Sequence, residues 1–272
     1  MNSDLTPIEN FEGVLVKRDD YHSEGYVNGG KLRQAEYLIK NRLGVIKRSY
    51  HNTVVCYCSI DSPQSAIISQ VAKKYGLRCI ILCYKTERPN INLSIAQKNG
   101  AEIYGISSGY NSVLFNRAKE NFRKYYIVNM GFEGADVFSP IIEQVRNLPD
   151  DLDYLVIPVG SAMNFIGILK GLDRFNKFPK NIVGVYVGRK PHKIINKYYY
   201  GSQVFSLVRY YKPYNNKVKI KPFDPIYEAK AFDWIKKEID VKKNKVLLWV
   251  VGVRNTNRNL IEKIKYKGFK IK

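Results

Sequence analysis

The sequence predicts an α/β fold in three layers, αβα, on mostly parallel sheet. Two observations predict it: short β-branched runs that are apolar at every position, and stretches of helical periodicity between them. A run that is apolar throughout is buried on both faces, and a helix between two such runs returns the chain to the same sheet in parallel. A third observation is negative: the chain has no internal repeat and no low-complexity linker.

The elements follow in order. Val14 to Asp20 is strand-like, and after Lys31 the apolar positions Leu32, Ala35, Leu38, Ile39 and Leu43 share one helical face. Thr53 to Tyr57 reads as a strand, and Ala66, Ile67, Val71 and Ala72 make a second helical face. Further strands are expected at Cys79 to Tyr84, Ala101 to Ile106, Tyr125 to Asn129, Tyr154 to Val159, Ile182 to Val187 and Lys245 to Val251. Helices are expected at Ser112 to Lys124, Val137 to Asn147, Asn164 to Phe175 and Tyr227 to Ile239.

A chain of 272 residues, 45% hydrophobic, can bury one sizeable core or two small lobes. No uninterrupted apolar run is long enough to cross a bilayer, and Met1-Asn2-Ser3-Asp4 lacks the basic and apolar regions of a signal peptide, so a cytoplasmic protein without membrane contact is expected. Cys56, Cys58, Cys79 and Cys83 lie in or just after two strand-like runs, which argues for buried thiols in a reducing compartment rather than for a metal site, whose ligands come from turns. The formal net charge is +21. From Lys190 to Lys221, Lys and Arg are mixed with Tyr198, Tyr199, Tyr200, Tyr210, Tyr211 and Tyr214, which suits phosphate contacts with base stacking. Solvated charge in a Lys- and Tyr-rich composition is the competing account.

Three local patterns carry chemistry. Lys31 follows Asn28-Gly29-Gly30 at a helix start, where two glycines admit a flat ligand and the free amides favour an anion. Ser59-Ile60-Asp61-Ser62-Pro63-Gln64 and Val159-Gly160-Ser161-Ala162-Met163-Asn164 both follow apolar strands and precede helices, the position at which parallel sheets bind ligands. Each also has a plain structural reading: a solvated lysine, a Ser62 cap with Pro63 in the first turn, and a Gly-Ser turn.

In this order Thr6-Pro7-Ile8-Glu9, Val16 to Asp20, Gly29-Gly30-Lys31-Leu32-Arg33, the two turns, Phe223-Asp224-Pro225-Ile226-Tyr227-Glu228-Ala229-Lys230 and Leu247 to Gly252 resemble the aminocyclopropane-carboxylate deaminase and D-cysteine desulfhydrase family. These are tryptophan synthase β-like, fold type II enzymes dependent on pyridoxal 5'-phosphate. The resemblance implies two α/β lobes, a large cofactor-binding one (residues 1–43 and 151–272) and a small one (44–150). It implies that Lys31 carries the cofactor as a Schiff base and acts as a base at Cα. It places Gly160, Ser161, Ala162, Met163 and Asn164 at the cofactor phosphate, Gly252 beside the cofactor, and Ser62 and Gln64 at the substrate.

Departures from the family pattern are equally specific. Ala162-Met163-Asn164 stands where relatives have Gly-Gly-Thr, and Pro63 where they have Asn. No acid stands at either place where relatives pair the pyridine nitrogen, and Tyr211 or Tyr214 would replace a family tyrosine. Three functions are therefore compatible with the chain. The first is a lyase or deaminase acting on a small free amino acid. The second is the same chemistry on an amino-acid group attached to DNA or RNA, and the third a basic binding protein on a degraded site. The short C-terminal region suggests completion by a homodimer.

Overall fold

The computed structural model describes residues 5–107, 111–188, 190–210 and 217–268. Its strands are β1 (Ile8–Phe11), β2 (Val14–Arg18), β3 (Ser23–Glu24), β4 (Val27–Asn28), β5 (Thr53–Tyr57), β6 (Arg78–Tyr84), β7 (Glu102–Ile106), β8 (Tyr126–Val128), β9 (Tyr154–Val159), β10 (Asn181–Tyr186), β11 (Ser206–Arg209), β12 (Val246–Val250) and β13 (Tyr266–Lys267). The α-helices are α1 (Gly30–Ser49), α2 (Gln64–Lys74), α3 (Ile91–Lys98), α4 (Asn111–Phe122), α5 (Ser139–Gln144), α6 (Met163–Arg174), α7 (His192–Tyr198) and α8 (Glu228–Glu238).

The chain divides into two compact units. The first comprises Met1–His22, Asn28–Arg33 and Ala135–Val253. Its six-stranded sheet has the order β1-β2-β12-β9-β10-β11, parallel except for the β1–β2 hairpin. The residues on its two faces alternate along the strands. Val14, Val16, Val156, Val183, Val185, Leu248 and Val250 form a core with Ala231, Phe232 and Ile235 of α8. The intervening Leu155, Ile157, Leu247 and Trp249 are fully buried on the opposite face, as are Phe165, Ile166 and Leu169 of α6. Both faces are thus covered, which is why these strands read as unbroken apolar runs.

One position on the second face is a lysine. Lys17 is wholly buried, with Nζ 2.7 Å from the Thr6 carbonyl oxygen and 2.6 Å from Asn147 Oδ1. Burial pulls its pKa down to about 8, against the opposing attraction of Asp19.

The second unit comprises Ser23–Val27, Gln34–Gly134 and Arg254–Lys272. Its five strands, β13-β7-β6-β5-β8, are all parallel. Val55, Tyr57, Ile80 and Leu82 pack on Leu114, Ala118 and Phe122 of α4. Cys56, Cys58, Cys79 and Cys83 are buried free thiols, and burial raises Cys56, Cys79 and Cys83 above their ordinary values.

These units divide elsewhere than at 43/44 and 150/151. Helix α1 runs without a break from Gly30 to Ser49, so its first turn belongs to one unit and the rest to the other. After Val253 the chain joins the second unit, where Arg254 Nη1 donates to the Asp61 carbonyl at 2.7 Å and β13 extends the sheet beside β7. That tail lacks a long apolar run, so its two-residue strand had no periodic signature. Within Lys190 to Lys221, where Lys and Arg are mixed with Tyr, lie α7 and the edge strand β11. Among the described residues no helix is long and apolar enough to cross a membrane.

Candidate functional site

The first unit places Lys31 in the first turn of α1, half-buried. Its position is set by the segment in front of it. Asn28 Nδ2 donates to the Val253 carbonyl at 3.0 Å, the Val253 amide donates back to Asn28 Oδ1 at 2.8 Å, and the Gly30 amide donates to the Val251 carbonyl at 2.9 Å. Gly252 therefore sits opposite Gly29-Gly30 at the carboxyl end of β12. Gly29 has φ +88°, and a Cβ there would collide with the Val251 carbonyl oxygen. Only glycine fits that approach.

Gly30 is tight for another reason. A Cβ there would lie 2.7 Å from Asn164 Oδ1 and 3.0 Å from Asp19 Oδ2. Both oxygens are buried without a hydrogen-bond partner among the described residues. Asp19 is nearly inaccessible, and its other oxygen accepts from Arg33 Nε at 2.9 Å, so the ion pair braces the turn that carries Lys31. Two orphaned acceptors thus converge beside Lys31, an arrangement that a bound donor would satisfy.

Across the same unit, β9 ends at Val159 and α6 begins at Met163. The amides at the start of α6 precede any intrahelical acceptor. Ala162 supplies no side-chain cap and adopts φ +67°, the left-handed region, although it carries a Cβ. A left-handed residue ahead of a helix start is a backbone pattern from which anion-binding nests of N–H groups are built. Gly160 lies against the ring of Tyr227, whose Cε1 would be 3.2 Å from an added Cβ. Tyr227 is delivered there by an Asx turn: Asp224 Oδ1 accepts from the amides of Ile226 at 2.9 Å and Tyr227 at 3.1 Å.

A buried carboxylate also reaches the end of β12. Glu228, in the first turn of α8, accepts from the Val251 amide through Oε1 at 3.2 Å. The linear sequence has no acid next to Gly252, because Glu228 comes from another element. Asp19 was legible only as part of a motif; that Asn164, distant in sequence, meets Gly30 beside it is set by the fold.

Ser62 and Gln64 belong to the second unit, and there the expectations change. Ser62 Oγ accepts the Gln64 amide at 3.3 Å, and Pro63 precedes the helix with φ −67°. Gln64 is fully buried: Nε2 donates to the Asn129 carbonyl at 2.7 Å and Oε1 accepts from the Gly131 amide at 2.6 Å. Its side chain braces the Asn129–Phe132 turn instead of reaching a substrate carboxylate. Tyr211 and Tyr214 lie outside the described residues.

A family model described as "Pyridoxal-phosphate dependent enzyme" matches residues 2–219. An O-seryl-dTMP PLP-dependent decarboxylase of Salmonella phage ViI is 29% identical over 215 residues, covering 68% of this chain and 49% of the relative. The chain thus spans about half the length of that relative. A 1-aminocyclopropane-1-carboxylate deaminase of Mesorhizobium japonicum is 23% identical over 239 residues, covering 76% of this chain and 67% of the relative. The crystal structure of an ACC deaminase homologue superposes with a TM-score of 0.73 at 22% identity, covering 91% of this chain and 89% of that one. It shares the tryptophan synthase β-like fold.

The residues of the first unit fit the cofactor that this family carries. The nest at Gly160 to Asn164 offers amides to a phosphate and has no carboxylate within it. The glycines before Lys31 leave room that side chains would fill.

Proposed function

The chain belongs to the family of pyridoxal-phosphate dependent enzymes, and on that premise we propose that it decarboxylates an amino-acid group attached to a thymidine nucleotide. The observation that carries this reading is the 29% identity to the phage O-seryl-dTMP decarboxylase. The net charge of +21 supports it, because a phosphate-bearing substrate profits from a positive field and a small zwitterion does not.

Lys31 would hold the cofactor, and the amides of Gly160 to Asn164 would bind its phosphate at the start of α6. Bound there, the cofactor supplies an electrophilic carbon for the substrate amine and a conjugated ring that takes up the electron pair of a broken Cα bond. Decarboxylation would release CO2 from Cα and would need a proton in its place. Lys31, displaced by the substrate amine, would deliver that proton. Gly29, Gly30 and the Asp19–Arg33 ion pair keep its backbone in one place.

A second reading, deamination or elimination on a free amino acid, draws on the match to the Mesorhizobium deaminase. One experiment separates the two. Protein loaded with pyridoxal phosphate is incubated with O-seryl or glycyl thymidine nucleotide, or with free amino acids, and products are read by mass spectrometry. Release of CO2 from the nucleotide substrates, lost in Lys31→Ala by at least about a thousandfold, is expected. Turnover of free amino acids alone would replace it with the second reading. No cofactor band trapped on Lys31 by borohydride would leave a basic binding protein.

A further inference from the structure

Between Asp173 and Asp224 the chain carries twelve lysines and arginines and no acidic residue. The first three are neutralised from elsewhere in the unit: Arg174 pairs with Glu143 at 3.1 Å, Lys177 with Asp150 at 2.5 Å and Lys180 with Asp153 at 2.8 Å. The pattern then stops. Lys190, Lys193, Arg209, Lys217, Lys219 and Lys221 are exposed and have no ion-pair partner among the described residues.

Their placement follows from the sheet register. Arg209 lies opposite Tyr186 at the carboxyl end of the parallel β10–β11 pair, and Lys190 and Lys193 follow where β10 ends. The run Lys217 to Lys221 alternates: Val218 and Ile220 pack onto the core cluster that contains Tyr210 and Phe223, and the lysines face outward. Carboxylates on the adjoining segments are turned inward. Asp224 caps the Ile226 and Tyr227 amides, and Asp233 accepts from the Tyr210 hydroxyl and Lys237.

We propose that this basic row is a track for the phosphodiester backbone of a nucleic acid, beside the Gly160–Asn164 nest. Val159 is in register with Tyr186, so the nest leaves β9 at the end of the sheet where Lys190, Lys193 and Arg209 lie, one strand spacing of about 4.8 Å from β10. Six unpaired cations exceed what one nucleotide phosphate can engage. The inference rests on the proposed nucleotide-linked substrate and sharpens it: the amino-acid group is met within a polymer, not on a free nucleotide.

The test is binding of unmodified single-stranded and duplex DNA to the cofactor-loaded protein, followed by fluorescence anisotropy as salt is varied. A Lys190→Gln, Arg209→Gln, Lys217→Gln, Lys219→Gln variant is compared with a charge-matched Lys40→Gln, Lys47→Gln, Lys73→Gln, Lys124→Gln variant. The first is expected to flatten the salt dependence by about three to four phosphate contacts and to weaken binding at least about tenfold, and the second to stay within about twofold of wild type. Equal losses in both variants, or no DNA binding by the wild type, would overturn the track. Turnover keeps the two proposals apart. The track predicts a KM raised about tenfold on an oligonucleotide substrate with kcat unchanged, and no change on the free nucleotide. DNA binding that obeys the expectation without any turnover of nucleotide substrates would remove the proposed reaction and leave the track. Oligonucleotide turnover with an unchanged KM in the first variant would do the reverse.

Discussion

The turn after β9 and the turn after β5 are made from the same parts, a buried parallel strand, a few small polar residues and a helix, yet they end in opposite states. After β5 the polar side chains of the turn are bonded: Ser62 Oγ takes the Gln64 amide, Pro63 has no amide to offer, and the Gln64 side chain closes bonds to Asn129 and Gly131, which leaves Ser65 Oγ in the first helical turn as the buried atom without a partner among the described residues of this turn. After β9, Ala162 at φ +67° provides no side-chain cap for the helix, and Asn164 Oδ1 is buried without a partner among the described residues. A protein tolerates such open groups where something else completes them. The difference teaches that a strand-to-helix turn becomes a binding site by what it leaves unsatisfied, which residue types alone do not reveal.

Substitutions can break or sharpen that contrast. The largest expected effect is at the closed turn. Gln64→Leu strands the Asn129 carbonyl and the Gly131 amide, and should lower the unfolding free energy by about 2–4 kcal/mol in denaturant titrations while cofactor affinity stays constant. A lost cofactor with unchanged stability would mean that the two turns have been assigned the wrong way round. At the open turn, Asn164→Asp sets a negative charge beside the nest and should weaken pyridoxal phosphate about 10- to 100-fold by absorbance titration, with little change in Tm.

Smaller effects refine the picture. Ser62→Ala removes one long cap and should cost about 0.5–1 kcal/mol. If kcat on the preferred substrate falls more than about tenfold while Tm holds, Ser62 meets the substrate as the family resemblance implies, and the cap is secondary. Ala162→Gly relieves a left-handed Cβ and should stabilise the protein by up to about 1 kcal/mol, visible as a slightly raised Tm. A loss of stability there would show that the Ala162 methyl, which is buried, contributes more by packing than its backbone conformation costs.

Much of the architecture was legible because it rests on local rules. The strands from Thr53, Cys79, Tyr154, Ile182 and Lys245 emerge where unbroken apolar runs required burial on both faces. The start of α1 at Gly30 follows from two glycines ahead of an amphipathic face. Short elements without periodicity escaped: α7, β11 and β13 have two to seven residues each. The expected helix Val137 to Asn147 is instead a six-residue α5 flanked by 3-10 turns, since Pro140 and neighbouring short turns break the regular ladder. Gln64 was misplaced for a different reason. Its type suits a substrate contact as well as a brace, and what decided between them was the left-handed turn at Gly131, sixty-odd residues away.

By itself, the sequence determined the parallel α/β class, the positions of the two strand-to-helix turns, the glycine-flanked Lys31 and the excess of positive charge. Each follows from periodicity, composition or backbone freedom within a few residues. Tertiary structure decided which groups are left over. Among the described residues, Asp19 and Asn164 become orphaned acceptors over Gly30, Glu228 arrives at Val251, and Arg209 comes to stand opposite Tyr186 where β10 and β11 end. Whether a hydrogen bond or an ion pair is satisfied depends on partners brought from far along the chain, and only the folded arrangement of elements supplies or withholds them.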